Sequence, residues 1–338
     1  MPPSVVGIKN ATLGPPKSER VRIKVFDDLV PPRSYYSPEA IAVGPDGALW
    51  ITDNVDQDYG ESAVVRVLPS GKRSKTFFYH GVTSEGSGLT GITAGPDGAL
   101  WVTDQFNRQI LRLSTSGRYR GFPLSHFDSP AGITEGPDGA LWFTARFDST
   151  AEIGRITTSG QITTYDVGEG ADGITTGPDG ALWFCETSID TIGRITTDGT
   201  VTNYSKGITP GSAPLSIAAG PDGALWFTES VGGRIGRITT AGEVTEYSRG
   251  ITPTEEPSGI AAGPDGAMWF TESENYESYS VRNSKIARIT MQGAVTEYSN
   301  IDPASQPTGI AQGRKGDLWF AESGTDEFGR LRIAKRQR

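Results

Sequence analysis

The chain has 338 residues, with 40 acidic against 31 basic side chains and a net charge of −9. Wrapping a phosphate backbone needs clustered cations, so nucleic acid is excluded as an expected partner. No charged start leads into a hydrophobic run, so neither a signal peptide nor a membrane span is expected, and the cytoplasm is the expected compartment.

Residues 1–20 contain several prolines and no apolar stretch, and are expected to be a flexible tail. Residues 21–30 open on Val-Arg-Ile-Lys-Val-Phe, an alternation that suits a strand. From there one unit dominates. Gly-Pro-Asp-Gly-Ala-Leu-Trp-Phe-Thr-Glu is complete at residues 220–229 and, counting copies with small changes, occurs seven times. All seven tryptophans (Trp50, Trp101, Trp142, Trp183, Trp226, Trp269 and Trp319) occupy one position of it, 41 to 51 residues apart. A fixed period of that size marks a supersecondary unit that buries its apolar faces by stacking on copies of itself.

Within a copy, Gly-Pro-Asp-Gly has the chemistry of a type I turn. The run after it, as in Ala267-Met268-Trp269-Phe270-Thr271, is rich in types that suit a pleated surface. Ile235-Gly236-Arg237-Ile238-Thr239 and Glu243-Val244-Thr245-Glu246-Tyr247 follow, joined by a Thr-x-x-Gly turn. These spacings predict an all-β protein: a seven-bladed β-propeller of four-stranded antiparallel blades. The last repeat lacks its fourth strand, so residues 21–30 are expected to complete blade 7 and close the ring. One domain over residues 21–334 follows, with residues 335–338 a solvated basic tail. The repeated arginines (Arg66, Arg112, Arg155, Arg194, Arg237, Arg288 and Arg330) read as structural, one on each third strand. Cys185, the single cysteine, excludes an intramolecular disulfide, agrees with reducing surroundings and reads as a small buried apolar group.

Two sets of positions fall on the face opposite the Gly-Pro-Asp-Gly turns, where function is expected. The second strands end at Asp53, Asp104, Ala145, Glu186, Glu229, Glu272 and Glu322; a further ring is Glu39, Thr90, Ala131, Asp172, Leu215, Ser258 and Thr308. Carboxylates gathered around a channel repel one another unless a cation neutralises them, which points to Mg²⁺ or, as an alternative, Ca²⁺. The competing reading is that each carboxylate caps a strand or pairs with a neighbouring arginine. The two histidines, His80 and His126, are both expected on this face, as is a long loop with Tyr276 and Tyr279.

The run Gly-Ile-Thr-x-Gly-Pro-Asp-Gly-x-Leu-Trp-Phe-Thr-Glu, followed by Ile-Gly-Arg-Ile-Thr-x-x-Gly-x-Ile-Thr-x-Tyr, resembles the virginiamycin B lyase (streptogramin lyase) family over residues 21–332. The resemblance implies a propeller that linearises cyclic depsipeptides with Mg²⁺, by eliminating the ester. Of the residues it implies, Glu322 matches a metal-binding glutamate. Thr308 and Ser258 stand where the family has histidines. Gln306 replaces a second metal glutamate, while Glu256 restores a Glu-Pro pair in blade 6. The expected catalytic set is therefore His126, Thr308, Ser258 and Tyr276, and the expected metal ligands are Glu322, Glu272, Glu229 and Glu256. The expected activity is a metal-dependent lyase acting on a cyclic ester, a depsipeptide or a related natural product. The alternatives are a lactonase-like hydrolase and a propeller that binds without catalysis. A small-molecule substrate and a monomeric state are expected.

Overall fold

A computed structural model describes residues 21–26, 36–55, 61–81, 88–124, 129–147, 150–274 and 283–333. Their strands form seven four-stranded antiparallel sheets, each ordered first to fourth along the chain except the one that closes the ring. Blade 4 is representative, with Ala171–Thr176, Leu182–Glu186, Thr191–Ile195 and Val201–Tyr204. Blade 7 takes Pro307–Gln312, Leu318–Glu322 and Glu327–Ile333 from one end of the chain and Val21–Phe26 from the other. Val21 lies opposite Ile333 and Phe26 opposite Phe328, so the N-terminal strand supplies the missing fourth strand as expected. First strands of successive blades pack on one another all the way round, blade 7 on blade 1 included, which makes them the inner wall.

The repeat explains itself in the turn. In Gly220-Pro221-Asp222-Gly223 the Gly223 N–H donates to the Gly220 carbonyl, the type I turn bond, and Gly223 then takes φ +76°, which glycine tolerates best. Asp222 points back into its own blade. One oxygen accepts from the Trp226 indole N–H at 3.1 Å, and the other accepts from Arg237 Nε at 2.7 Å. The same three-residue bridge recurs at Asp46, Asp97, Asp138, Asp179 and Asp265, with Arg–Asp distances between 2.5 and 2.7 Å. The structural reading of the repeated arginines thus holds.

Each indole, fixed at its N–H in blades 1 to 6, stacks on an aromatic ring of the fourth strand, as Trp183 does on Tyr204 at 5.5 Å. In blade 7 the ring is Phe26, 5.8 Å from Trp319. The Ile-Gly-Arg-Ile glycine has an equally local cause. A Cβ at Gly193 would sit 2.1 Å from the Phe184 ring, so the phenylalanine of the second strand lies across the space that glycine leaves open. Cys185 is fully buried, and burial raises its thiol pKa well above the usual value, in keeping with a packing role.

Two outcomes are expected. Asp222→Ala leaves a buried indole N–H and a guanidinium without their acceptor, so it should lower unfolding stability by about 2 kcal/mol in a urea titration. Burial pushes Asp46, Asp97, Asp138, Asp179 and Asp222 upward, but bonds to tryptophan, arginine and the turn N–H outweigh it, leaving each below its usual 3.8. A depressed folded-state pKa contributes stability that is complete above the unfolded value and lost as pH falls through the folded one. Acid unfolding monitored by tryptophan fluorescence should therefore begin below about pH 4, and the Asp222→Asn variant should show a smaller acid-dependent loss.

Candidate functional site

The inner wall is not a regular strand. In blade 6 Pro257 lies opposite Glu272 and Ile260 opposite Phe270, so Ser258 and Gly259 together face the single residue Thr271. This bulge recurs at the same place in every blade. An extra residue bends a strand and re-aims its side chains. Here it carries Glu39, Thr90, Ala131, Asp172, Leu215, Ser258 and Thr308, all half-buried, on the innermost strands.

A threonine of the second strand holds each bulge where it is present. Gly259 N–H donates to Thr271 Oγ1 at 2.8 Å, and that hydroxyl donates to the Thr308 carbonyl of the next blade at 2.7 Å. Thr52, Thr103, Thr144 and Thr228 do the same with distances of 2.6 to 3.0 Å to the neighbouring carbonyl. Blades 4 and 7 carry Cys185 and Ala321 there instead.

The acidic strand ends take a different course. Asp53, Asp104, Glu186, Glu229, Glu272 and Glu322 have no exposed surface. Alternation explains this: Phe227 and Glu229 are two apart, so both turn toward blade 4, where Phe227 packs near Trp183 and Cys185 and Glu229 meets the field of Asp190. Burial first, then neighbouring carboxylates, raise Glu229 to about 8 and Glu272 to about 8. Burial also raises Glu322 and Glu186 to about 7, and lifts Asp53 well above its usual value. Near neutral pH much of this set is protonated. It is a series of buried acids between blades, not a ring of anions around one mouth.

Each acid has its own neighbours. Protonated Glu229 faces Glu246, whose oxygens accept from the Thr209 N–H and hydroxyl, with Arg234 and Asp190 beyond. Glu272 faces Glu297, Glu255 and Lys285, and neither of its oxygens is hydrogen-bonded. Lys285 bonds both Glu255 and Glu297, at 3.1 and 3.0 Å. Glu322 faces Ser305, Glu327 and Asp302. Glu256 is half-buried opposite Ser273, and burial raises its pKa. Among the described residues no three Asp, Glu, His or Cys side chains converge as a metal set. Glu229, Glu256, Glu272 and Glu322, the expected metal ligands, thus each keep separate neighbours.

Thr308 and Ser258 do come together. They occupy adjacent bulges, and a Cβ at Gly259 would lie 2.4 Å from the Thr308 carbonyl. Thr308 Oγ1 in turn donates to the Glu39 carbonyl of blade 1 at 2.9 Å. His126 and Tyr276 lie outside the described residues. His80 ends the fourth, outermost strand of blade 1, away from the inner wall.

Two residues at the mouth were not singled out from the sequence as site residues. Glu39 is half-buried in the blade 1 bulge next to Thr308. Burial raises its pKa, and a long 3.5 Å bond from Ser37 only partly offsets this. Arg146 follows Ala145, the one strand end without a carboxylate. Its Nε donates to the Ala171 carbonyl at 3.0 Å and its Nη2 pairs with Asp172. The exception in an otherwise acidic series was the signal available for Arg146.

The buried acids set a pH dependence of stability. For Glu229 and Glu272 the folded pKa of about 8 exceeds the ordinary 4.5, so the folded state holds protons that the unfolded state releases. That contribution is complete below about 4.5 and is lost as pH rises to about 8. The urea midpoint should fall between pH 5 and pH 8.5, and Glu272→Gln, which stays neutral, should fall less. An unchanged slope in the variant would count against the assignment.

A family model described as the virginiamycin B lyase family matches residues 27–275. A streptogramin B lyase structure is similar at 31% identity, covering 93% of this chain and 98% of its own, with a TM-score of 0.78. A catalytically inactive virginiamycin B lyase from Staphylococcus aureus with quinupristin matches at 32% identity over 93% of this chain and all of its own, TM-score 0.78. The WD40 propeller domain of Doa1, at 13% identity, covers 94% of this chain and 98% of its own with a TM-score of 0.68, and shares the fold alone. No curated protein sequence matches. With seven blades of the matching repeat and this identity along nearly the whole chain, the protein belongs to the virginiamycin B lyase family.

Proposed function

We propose that this protein is a carbon–oxygen lyase that opens a cyclic ester, of depsipeptide or related natural-product type, at the bulge-lined mouth, with Glu39 as the base. The observation that carries the reading is the place of Glu39. It is a half-buried carboxyl with a raised pKa, on a residue whose backbone carbonyl accepts from Thr308, the position that matches a family histidine. A base poised nearer neutral pH transfers protons more effectively than one at 4.5. Membership of the family and the quinupristin in its relative support a small cyclic substrate.

Glu39 would take the proton from the carbon α to a carbonyl. The electron pair left behind forms the Cα–Cβ double bond, the Cβ–O ester bond breaks, and the ester carboxylate leaves. The ring opens into an isomer of unchanged mass. Hydrolysis by a lactonase-like reaction would instead add one water. No step is assigned to Mg²⁺ or Ca²⁺, because no three carboxylate, histidine or cysteine side chains converge among the described residues. A binding role without turnover is favoured by one observation, the presence of Thr308 and Ser258 at the matching histidine positions.

Mass spectrometry of quinupristin after incubation decides among these. The expected product is an open-chain isomer with new ultraviolet absorbance from the double bond; a product heavier by one water points to hydrolysis, and unaltered substrate points to binding alone. Glu39→Gln should lower kcat by about 10²- to 10⁴-fold, and Thr308→His should raise it by restoring the family base. Activity is expected to survive EDTA; loss in EDTA would return a cation to the mechanism. Because the raised Glu39 must be ionised, kcat/KM should climb with pH through a value above 4.5.

A further inference from the structure

We propose that Arg146 and Asp172 form a second subsite of the mouth, on blades 3 and 4, that binds a neutral peptide amide next to an apolar side chain. The inference rests on the reading that the mouth receives a substrate.

The residue after each second-strand end generally ties the strand to a nearby first strand. Asn54 donates to the Leu89 carbonyl at 2.9 Å, Thr187 to Pro214 at 2.6 Å, Ser230 to Ala213 at 3.1 Å and Ser323 to Gln306 at 3.0 Å. A short neutral side chain suffices for that tie in four blades. In blade 3 Arg146 makes it with Nε alone. Its remaining donors are surplus to the fold.

That surplus is placed at cost. The Arg146 side chain is 39% exposed and Asp172 only 16%, and burial lowers the guanidinium pKa, so the pair sits where water is partly withdrawn. Asp172 is one of the half-buried bulge residues of the inner wall. Its Oδ2 pairs with Arg146 Nη2 and shares the single proton of the Thr187 hydroxyl with the Pro214 carbonyl. Among the described residues, Arg146 Nη1 and Asp172 Oδ1 make no hydrogen bond. One planar donor and one acceptor side by side match an amide, whose C=O accepts from the guanidinium and whose N–H donates to the carboxylate. A free carboxylate fits worse, since Asp172 would repel it.

The surroundings supply the apolar part. Phe147, Ile189 and Val231 are 45, 41 and 69% exposed, and they lie at or beside the ends of second strands in three successive blades, on the same face as the pair. They are three of the four large hydrophobic side chains that are exposed among the described residues. Exposed apolar groups on the same face as a polar pair match the composition of a small-ligand site.

Saturation-transfer NMR with N-acetyl-L-phenylalaninamide as probe, and N-acetyl-L-phenylalanine as its anionic counterpart, tests this without any turnover. The amide should receive saturation from the wild-type protein and bind at least about tenfold more weakly to Arg146→Ala and to Asp172→Asn, a difference near 1.4 kcal/mol. Val231→Ser, an exposed change, should weaken it less. Circular dichroism of both variants should match wild type, since the tie that Arg146 makes is one bond. No transfer to the wild type, equal transfer to Arg146→Ala, or preference for the acid would each overturn the subsite. A protein that binds the amide yet leaves quinupristin intact would retain the subsite while losing the lyase reading.

Discussion

The aspartate of each turn, held between an indole and a guanidinium, is the constraint on which the rest depends. It ties the turn to the second strand through tryptophan and to the third through arginine, so three separate segments share one anchor. Once the indole is fixed, its ring presents a flat face for the fourth strand to stack on. Sheet width is therefore set by a polar contact at one end of the blade. Blade 7 departs from this scheme. Its turn carries Arg314 and Lys315, and Asp317 instead meets Arg332 at 3.2 Å and Arg330 at 3.9 Å. Arg330 lies over the rings of both Phe26 and Trp319, so cation–π contact joins the borrowed strand to the blade that receives it.

At the other end of the blade the pleat and the bulge divide the labour. Alternation along the second strand hides its terminal acid against a neighbouring blade, and burial raises the pKa of Asp53, Glu186, Glu229, Glu272 and Glu322. The extra residue in the first strand leaves the next set of side chains half-buried on the inner wall. Two rings that look alike in sequence consequently have different environments: one is fully buried, the other half-buried and able to meet a ligand. Glu39, Asp172, Ser258 and Thr308 belong to the second. The threonine network beneath them joins most neighbouring bulges, so their spacing is set by hydrogen bonds between blades and not by loops.

Much of the fold was legible because its causes are local and repeated. Seven tryptophans at one position, a turn with its glycine, and a terminal alternation ending in Phe26 each specify structure over a few residues. The acidic series was legible as a set but not in its environment. Whether Glu272 faces the axis or an adjacent blade depends on the pleat relative to the bulge, and nothing in Trp-Phe-Thr-Glu marks the bulge. Arg146 was passed over for a related reason, since its partner Asp172 lies in the next blade and the two are brought together only by the ring. Glu39 stood in the correct ring but gained its interest from Thr308, which lies at the far end of the sequence.

That distance also bears on how the molecule is made. Because Val21–Phe26 pairs with Glu327–Ile333, the closing sheet unites strands some three hundred positions apart. Blades 1 to 6 draw on neighbouring segments and can assemble as the ribosome delivers them, whereas the seventh must wait for residue 333. During that interval blade 1 and blade 6 each present an uncovered flank, and the early strand has no sheet to join. Ring closure is therefore expected to be the slow folding step, and the interval before it the period of greatest exposure to misassociation with another chain.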